Sequence, residues 1–279
     1  MANYTAADIK ALRERTGAGM MDVKKALDEA NGDADKAMEL IRIKGLKGAT
    51  KREGRSTAEG LVAAKIVDGN VGVMIEVNCE TDFVAKSDKF IALANKVLDV
   101  AVASAAADIE SLLAADVEGK NLADYVTEEG AVLGEKVVVR RLARIEGGTV
   151  DAYLHKTSKD LPAQVGVLLA VDGSGEAATT VAHDVAVHTA AMAPTFLTRE
   201  EVPAETVENE RRIADETARA EGKPEAALTK IVEGRLTGFF KEGVLVDQSF
   251  AKDAKKSVGK VLEEAGVKAT SFARFRVGA

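Results

Sequence analysis

Val71-Gly72-Val73-Met74-Ile75-Glu76-Val77-Asn78 and Val165-Gly166-Val167-Leu168-Leu169-Ala170-Val171-Asp172 are two versions of one pattern, 94 positions apart. Both are apolar runs of strand length rich in β-branched residues. A further strand pattern precedes each, at residues 60–67 and 149–155. The first pair is joined by Asp68-Gly69-Asn70, and Asp-Gly between two apolar runs is a hairpin signal. A helical pattern follows each repeat, at residues 93–107 and 181–192. The sequence therefore predicts an α+β core made of two copies of an antiparallel hairpin plus helix. A helix over 254–265 and a strand over 267–277 are expected to complete the second copy.

The copies differ where strand meets helix. The join spans residues 79–92 in the first and 173–180 in the second, so the first carries six extra residues. They include Thr81-Asp82-Phe83-Val84. An insertion into one copy of a duplicated scaffold is a candidate functional loop. With only 8 Phe and no Trp in the chain, Phe83 either anchors this loop to the core or protrudes as a wedge.

Outside the core, residues 1–45 read as three short helices. Thr5 caps the first with Asp8 at its third position, and Gly17 ends it. Val23, Ala26, Leu27 and Ala30 line the second, which closes at Asn31-Gly32. Asp33 caps the third, lined by Ala34, Ala37, Met38 and Ile41 and ending at Gly45. Met20-Met21 follow Thr16-Gly17-Ala18-Gly19, and two adjacent Met can hardly both be core. Residues 42–55 (Arg42, Lys44, Lys47, Lys51, Arg52 and Arg55 against Glu53) read as a basic flexible linker. Residues 199–243 hold nineteen charged residues and two helical runs, 199–221 and 225–240, joined by Gly222-Lys223-Pro224. With Val207, Ile213, Leu228, Ile231 and Leu236 as its seam, this segment reads as a projecting αα-hairpin. The expected divisions are 1–55, 56–145, 146–198 with 244–279, and 199–243.

Composition narrows the function. The 279 residues carry 38 Lys+Arg against 45 Asp+Glu, a net charge of −7, which argues against a general nucleic-acid binder. One Cys, Cys79, permits no internal disulfide, and it reads as a small buried residue rather than a nucleophile. His155, His183 and His188 have no metal-ligand spacing. No phosphate-loop motif occurs, and no Ser/His/Asp or Cys/His grouping can be argued. No targeting or membrane-spanning segment is visible, so the expected compartment is the cytoplasm. No catalysis, cofactor, metal or small-molecule substrate is expected.

Two long segments resemble signatures of the bacterial translation elongation factor Ts family. One is Leu12-Arg13-Glu14-Arg15-Thr16-Gly17-Ala18-Gly19-Met20-Met21-Asp22-Val23-Lys24-Lys25-Ala26-Leu27. The other is Glu76-Val77-Asn78-Cys79-Glu80-Thr81-Asp82-Phe83-Val84-Ala85-Lys86. The resemblance implies a guanine-nucleotide exchange factor for elongation factor Tu, binding it GDP-bound and nucleotide-free. It implies an N-terminal three-helix module of the ubiquitin-associated type, a two-part core and a coiled-coil hairpin. By the same resemblance, Thr81, Asp82, Phe83 and Val84 enter the partner beside its Mg²⁺ site. Arg13, Met20, Met21 and Lys24 touch the nucleotide-binding domain, and His155 lies towards another domain. Some members of the family carry a further helical module after the last strand, and an apolar pair where this chain has Ala251-Lys252. The contacts those features make are not expected here. A rival reading is an adaptor whose three-helix module binds peptides or ubiquitin-like folds. Another is an enzyme with a pocket between the core copies, which the missing catalytic grouping disfavours.

Overall fold

The computed structural model describes residues 3–16 and 18–279, the side chains of 14 and 46–51 excepted. The chain opens with helices α1 (Ala6–Thr16), α2 (Met20–Glu29) and α3 (Ala34–Arg52). Thr5 and Asp8 form the expected reciprocal cap, and the Asp33 carboxylate accepts from the Asp35 and Lys36 N–H groups. Leu12, Val23, Ala26, Leu27, Ala30 and Ala37 are buried together between the three helices. The stop expected at Gly17 lies outside the described residues.

The third helix does not end at Gly45, and residues 42–52 are not a linker. The cause is tertiary. A Cβ on Gly45 would lie 2.9 Å from that of Ala131, so this glycine permits close approach to a second helix rather than ending its own. Arg42 pairs with Glu128 on that same helix. The non-helical run is only residues 53–58.

The first core unit follows: β1 (Glu59–Val67), β2 (Val71–Cys79), the single turn α4 (Asp82–Ala85), α5 (Asp88–Ser104) and α6 (Ile109–Ala114). A two-residue ribbon, β3 (Asp116–Val117) with β4 (Lys120–Asn121), leads to α7 (Leu122–Leu133) and β5 (Val138–Glu146). Asp68 and Gly69 both take the left-handed conformation in the hairpin turn. The sheet has order β1-β2-β5 and is antiparallel throughout.

The second unit holds β6 (Thr149–His155), β7 (Val165–Val171) and α8 (Glu176–Met192). The helical pair α9 (Ala204–Ala220) and α10 (Glu225–Gly243) then leaves the core. The chain returns through β8 (Ser249–Phe250), β9 (Asp253–Ser257), α11 (Val258–Glu264) and β10 (Ala269–Arg276). The order β10-β7-β6 puts the second repeat at the centre of its sheet, as β2 is at the centre of the first. Residues 254–257 are strand rather than helix, because Ser257 caps α11 by accepting from the Lys260 N–H.

Alternation along the central strands builds the layers. Val73, Ile75, Val77 and Cys79 face α5 and α7, while Val167, Leu169 and Val171 face α8 and α11. The opposite faces meet each other, burying Val62, Met74, Leu168 and Phe275 between the sheets. The repeated glycine sets this contact. A Cβ on Gly72 would lie 2.8 Å from Val150 Cγ1 and 3.0 Å from Leu168 Cδ2. One on Gly166 would lie 2.8 Å from Met74 Sδ and would collide with Val62. Met74 and Leu168 are equivalent positions of the repeat, so the two copies pack about an approximate two-fold axis.

The hairpin differs in detail from expectation. Arg199–Glu201 form a 3₁₀ turn, and Pro203 caps α9, so the first helix starts late. The seam is made by Ala214, Ala218, Leu228, Val232 and Leu236, with Ile213 facing solvent. On α9 the small residues Ala214 and Ala218 take inward positions in place of Ile213, and Val207, seven before Ala214 on the same face, is half-buried. At the base, Arg199 donates twice to Asp247 and lies over the Phe240 ring.

Candidate functional site

Cys79, the last residue of β2, is fully buried, and its thiol donates to the Thr81 carbonyl at 3.3 Å. Burial, with the negative charge of Glu135 nearby, pushes this thiol up to about 12. The thiolate needed for nucleophilic attack is therefore scarce at neutral pH. Cys79 is a packing residue, as its position at a strand end suggested.

Beyond Cys79 the chain turns outward. Eight residues, 80–87, separate β2 from α5, whereas four, 172–175, separate β7 from α8. The insertion is thus four residues rather than six, because β2 runs on through Cys79 while β7 stops at Val171, and it is a helical turn rather than a loop. Thr81 caps this turn by accepting from the Val84 N–H at 3.4 Å. Ala85 is buried in the first core and Val84 packs against it. Phe83 points the other way and is 73% exposed. Of the two readings of Phe83, the wedge is the one this geometry fits.

Two charged side chains attend the ring. Lys86 Nζ lies 4.5 Å from the Phe83 centroid and 3.4 Å from the Asp82 carboxylate. Asp82, Phe83 and Lys86 form one outward-facing cluster on a single turn. Lys86 was not singled out from sequence; its spacing of four from Asp82 is the signal that could have found it. Burial of Glu80, just before the turn, works against its charged form. Hydrogen bonds from the Lys136 N–H and the Arg55 guanidinium outweigh that burial and hold its carboxyl below the usual range.

The other sequence-expected residues lie on different elements. Met20 is 59% and Met21 62% exposed, so neither is core, and Lys24 shares their turn of α2. Arg13 is exposed near the end of α1. His155 is exposed at the end of β6, its Nδ1 at 3.2 Å from the Tyr153 hydroxyl and next to the exposed Leu154. Beside Leu154 an open groove of about 450 Å³ runs between Ile91 and Leu98 of α5 and Leu161. His183 is exposed and bonded to Asp151, whereas His188 is buried. No group of three or more His, Cys, Asp or Glu among the described residues could hold a metal ion. Among them, too, no helix is long and apolar enough to cross a membrane.

An exposed aromatic on a pinned turn, with further apolar residues exposed on separate elements, is the arrangement of a protein that acts by contact with another protein. The family model for elongation factor TS matches residues 80–279. Elongation factor Ts of an Arthrobacter species is 82% identical over 278 residues, with all of both chains covered. That of Micrococcus luteus is 79% identical and that of Kineococcus radiotolerans 60%, again over the whole of both chains. The chain belongs to the elongation factor Ts family, the bacterial guanine-nucleotide exchange factors that act on elongation factor Tu in translation elongation. Similarity over the whole length gives the adaptor reading, which used only the first helices, no support.

Proposed function

We propose that this chain promotes GDP release by placing the Phe83 ring in an apolar pocket of elongation factor Tu beside its Mg²⁺ and phosphate site. The observation that carries this reading is the 73% exposure of Phe83 on a turn whose backbone is held. Burying such a ring is worth roughly 1.5–3 kcal/mol, which the free protein forgoes and the complex gains. A turn ordered beforehand loses little entropy on docking. Asp82 accepts hydrogen bonds from partner groups and fixes where the ring enters. Lys86, which covers the ring in the free protein, moves aside.

An exchange factor must bind the nucleotide-free partner better than the nucleotide-bound one. Reciprocity then weakens nucleotide binding by the same factor. For a tightly held nucleotide this coupling amounts to several kcal/mol, since about 1.4 kcal/mol gives only tenfold. The partner's Mg²⁺ bridges the phosphates and neutralises their charge, so displacing its ligands is an effective way to supply that energy.

Further contacts extend the interface. Arg13, Met20, Met21 and Lys24 meet the partner's nucleotide-binding domain, and His155 with Leu154 meets another domain. In this reading residues 1–55 are a module of the ubiquitin-associated type and 199–243 a coiled-coil projection. The two core parts, 56–145 and 146–198 with 244–279, hold the contacts in register. The protein works in the cytoplasm on GDP-bound and nucleotide-free partner, without nucleic-acid contact. Release of a fluorescent GDP from elongation factor Tu tests the reading. Phe83→Ala and Asp82→Ala should each slow stimulated release about tenfold or more, with the thermal midpoint nearly unchanged. Variants as fast as wild type would overturn it.

A further inference from the structure

The turn that carries Phe83 is held from a distant point in the sequence. Glu135 follows the end of α7, 54 positions after Thr81. Its Oε2 accepts from the Glu80 N–H at 3.0 Å and the Thr81 N–H at 3.1 Å. Its Oε1 accepts from the Thr81 hydroxyl at 2.6 Å. The bonding is reciprocal, because Glu80 Oε1 accepts from the Lys136 N–H at 2.6 Å. Two turns thus clasp each other, side chain to backbone in both directions.

The clasp reaches the N-terminal helices as well. Arg55 donates to Glu80 Oε2 at 3.0 Å, and Lys136 Nζ donates to the carbonyls of Glu53 and Arg55. Residues 53–55 lead directly from α3. The Glu80 carboxylate therefore sits where the exit from the N-terminal helices, the end of α7 and the Phe83 turn converge, and Glu135 holds the backbone N–H of that same residue.

Every polar group of Thr81 is engaged. Its carbonyl accepts from Cys79 Sγ and from the Ala85 N–H at 3.1 Å. Its hydroxyl accepts from the Val84 N–H, so its proton is committed to Glu135. A helix of four residues has no stability of its own, so the direction of α4 is set by what holds its ends. At the N-terminal end that is Glu135.

We propose that Glu135 is a positioning residue for nucleotide exchange. It fixes the angle at which α4 presents Phe83, and through Glu80, Lys136 and Arg55 it ties that angle to the N-terminal helices. The inference rests on the reading of Phe83 as the inserting side chain. A carboxylate that only stabilised the fold would act on folding and exchange alike, whether or not Phe83 were present. A positioning carboxylate acts on exchange through Phe83 alone.

The test is a double-mutant cycle on the full chain, read as maximal release rate of fluorescent GDP from elongation factor Tu at saturating exchange factor. Glu135→Ala should lower that rate about fivefold, and the half-saturating concentration should change by less than about twofold. Glu135→Gln keeps an oxygen for both N–H groups and should recover most of the rate. In a Phe83→Ala background, adding Glu135→Ala should change the rate by less than about 1.5-fold. Effects of the two substitutions that multiply would overturn the inference, as would Glu135→Ala exchanging like wild type while Phe83→Ala is slow. Phe83→Ala exchanging like wild type is a different result and overturns the reading of Phe83 itself. If Glu135→Ala lowers the folded fraction by circular dichroism, Glu135→Asp, which keeps the charge but draws the carboxylate one methylene back from Thr81 while leaving the Thr81 cap in place, takes its place in the cycle under the same criteria.

Discussion

The Glu76 carboxylate is fully buried on β2, and Arg141 of the neighbouring strand donates its Nε to it at 2.5 Å. The same guanidinium donates to the Arg276 carbonyl at 2.7 Å and lies 4.7 Å from the Phe275 ring centroid, both on the second sheet. One residue thus neutralises a buried charge in the first core unit and fastens the second to it. Arg141→Met would leave Glu76 buried without a counter-ion, with only the Asn78 amide donating to it. The expected loss is about 3 kcal/mol in urea unfolding, since removing one partner of a buried pair leaves an uncompensated charge. Arg141→Met with Glu76→Met should lose less than Arg141→Met alone. A single-variant loss below about 1 kcal/mol would contradict this role.

The glycines of the repeat make a second prediction. Gly166→Ala pushes a methyl group into Val62 and Met74 across the sheet boundary. Overpacking of this kind costs about 1–3 kcal/mol. Adding Val62→Ala frees the space and should recover part of that loss. Equal stability of Gly166→Ala and wild type in denaturant titration would mean that the two sheets are not in close contact there.

How much of this was legible in the sequence depended on range. The central strands, the Asp68-Gly69 turn and the caps at Thr5 and Asp33 are set by neighbours a few residues away, and each is where the pattern put it. Gly45 was misread because its use is set by Ala131, far along the chain. The strand β5 escaped because Arg140, Arg141 and Arg144 interrupt its apolar alternation, and its buried charge is meaningful only beside Glu76. In the hairpin seam Leu228 and Leu236 are where the pattern put them, whereas on α9 Ala214 and Ala218 are buried and the larger Ile213 faces solvent. At the site, the insertion and the oddity of Phe83 were visible. The clasp from Glu135 was not, because no local pattern marks a carboxylate that bonds 54 residues away.

His188 makes stability pH-dependent. It is buried in α8, its Nδ1 accepts from the Ala251 N–H at 3.1 Å, and its Nε2 faces Gln248 Oε1 at 2.9 Å. Gln248 spends its own N–H groups on the carbonyls of Glu242 and Met192, so His188 is neutral with its proton on Nε2. Burial lowers its pKa from the ordinary 6.5, against the raising effect of Gln248. Below about pH 6.5 the unfolded chain therefore binds a proton that the folded chain resists. The stabilisation is complete above that pH and is lost as pH falls towards the depressed folded value. Between pH 7.5 and 5.5, wild type should lose more thermal stability than His188→Gln. Other titrating groups, such as Asp151 and Glu129, whose pKa values burial raises, are common to both chains and cancel. Parallel pH profiles would contradict the prediction.

Cys79 should resist alkylation. Its thiol is buried, bonded to Thr81 and pushed up to about 12. Native protein at pH 8 should react with iodoacetamide at least about 100-fold more slowly than urea-unfolded protein, read by mass spectrometry. Rapid labelling in the native state would show that the end of β2 opens, and with it the support of the Phe83 turn.

The central claim is that Phe83 acts on the partner's Mg²⁺ site, and one comparison tests it most directly. Stopped-flow release of fluorescent GDP from elongation factor Tu is measured with wild type and Phe83→Ala, first at fixed Mg²⁺ and then with the ion removed by chelator. With Mg²⁺ present the variant should be slower by about tenfold or more. With Mg²⁺ absent the gap should shrink towards unity, because the ion that the ring displaces is already gone. A gap that stays the same after chelation would contradict the claim and move the action of Phe83 to a site other than the ion.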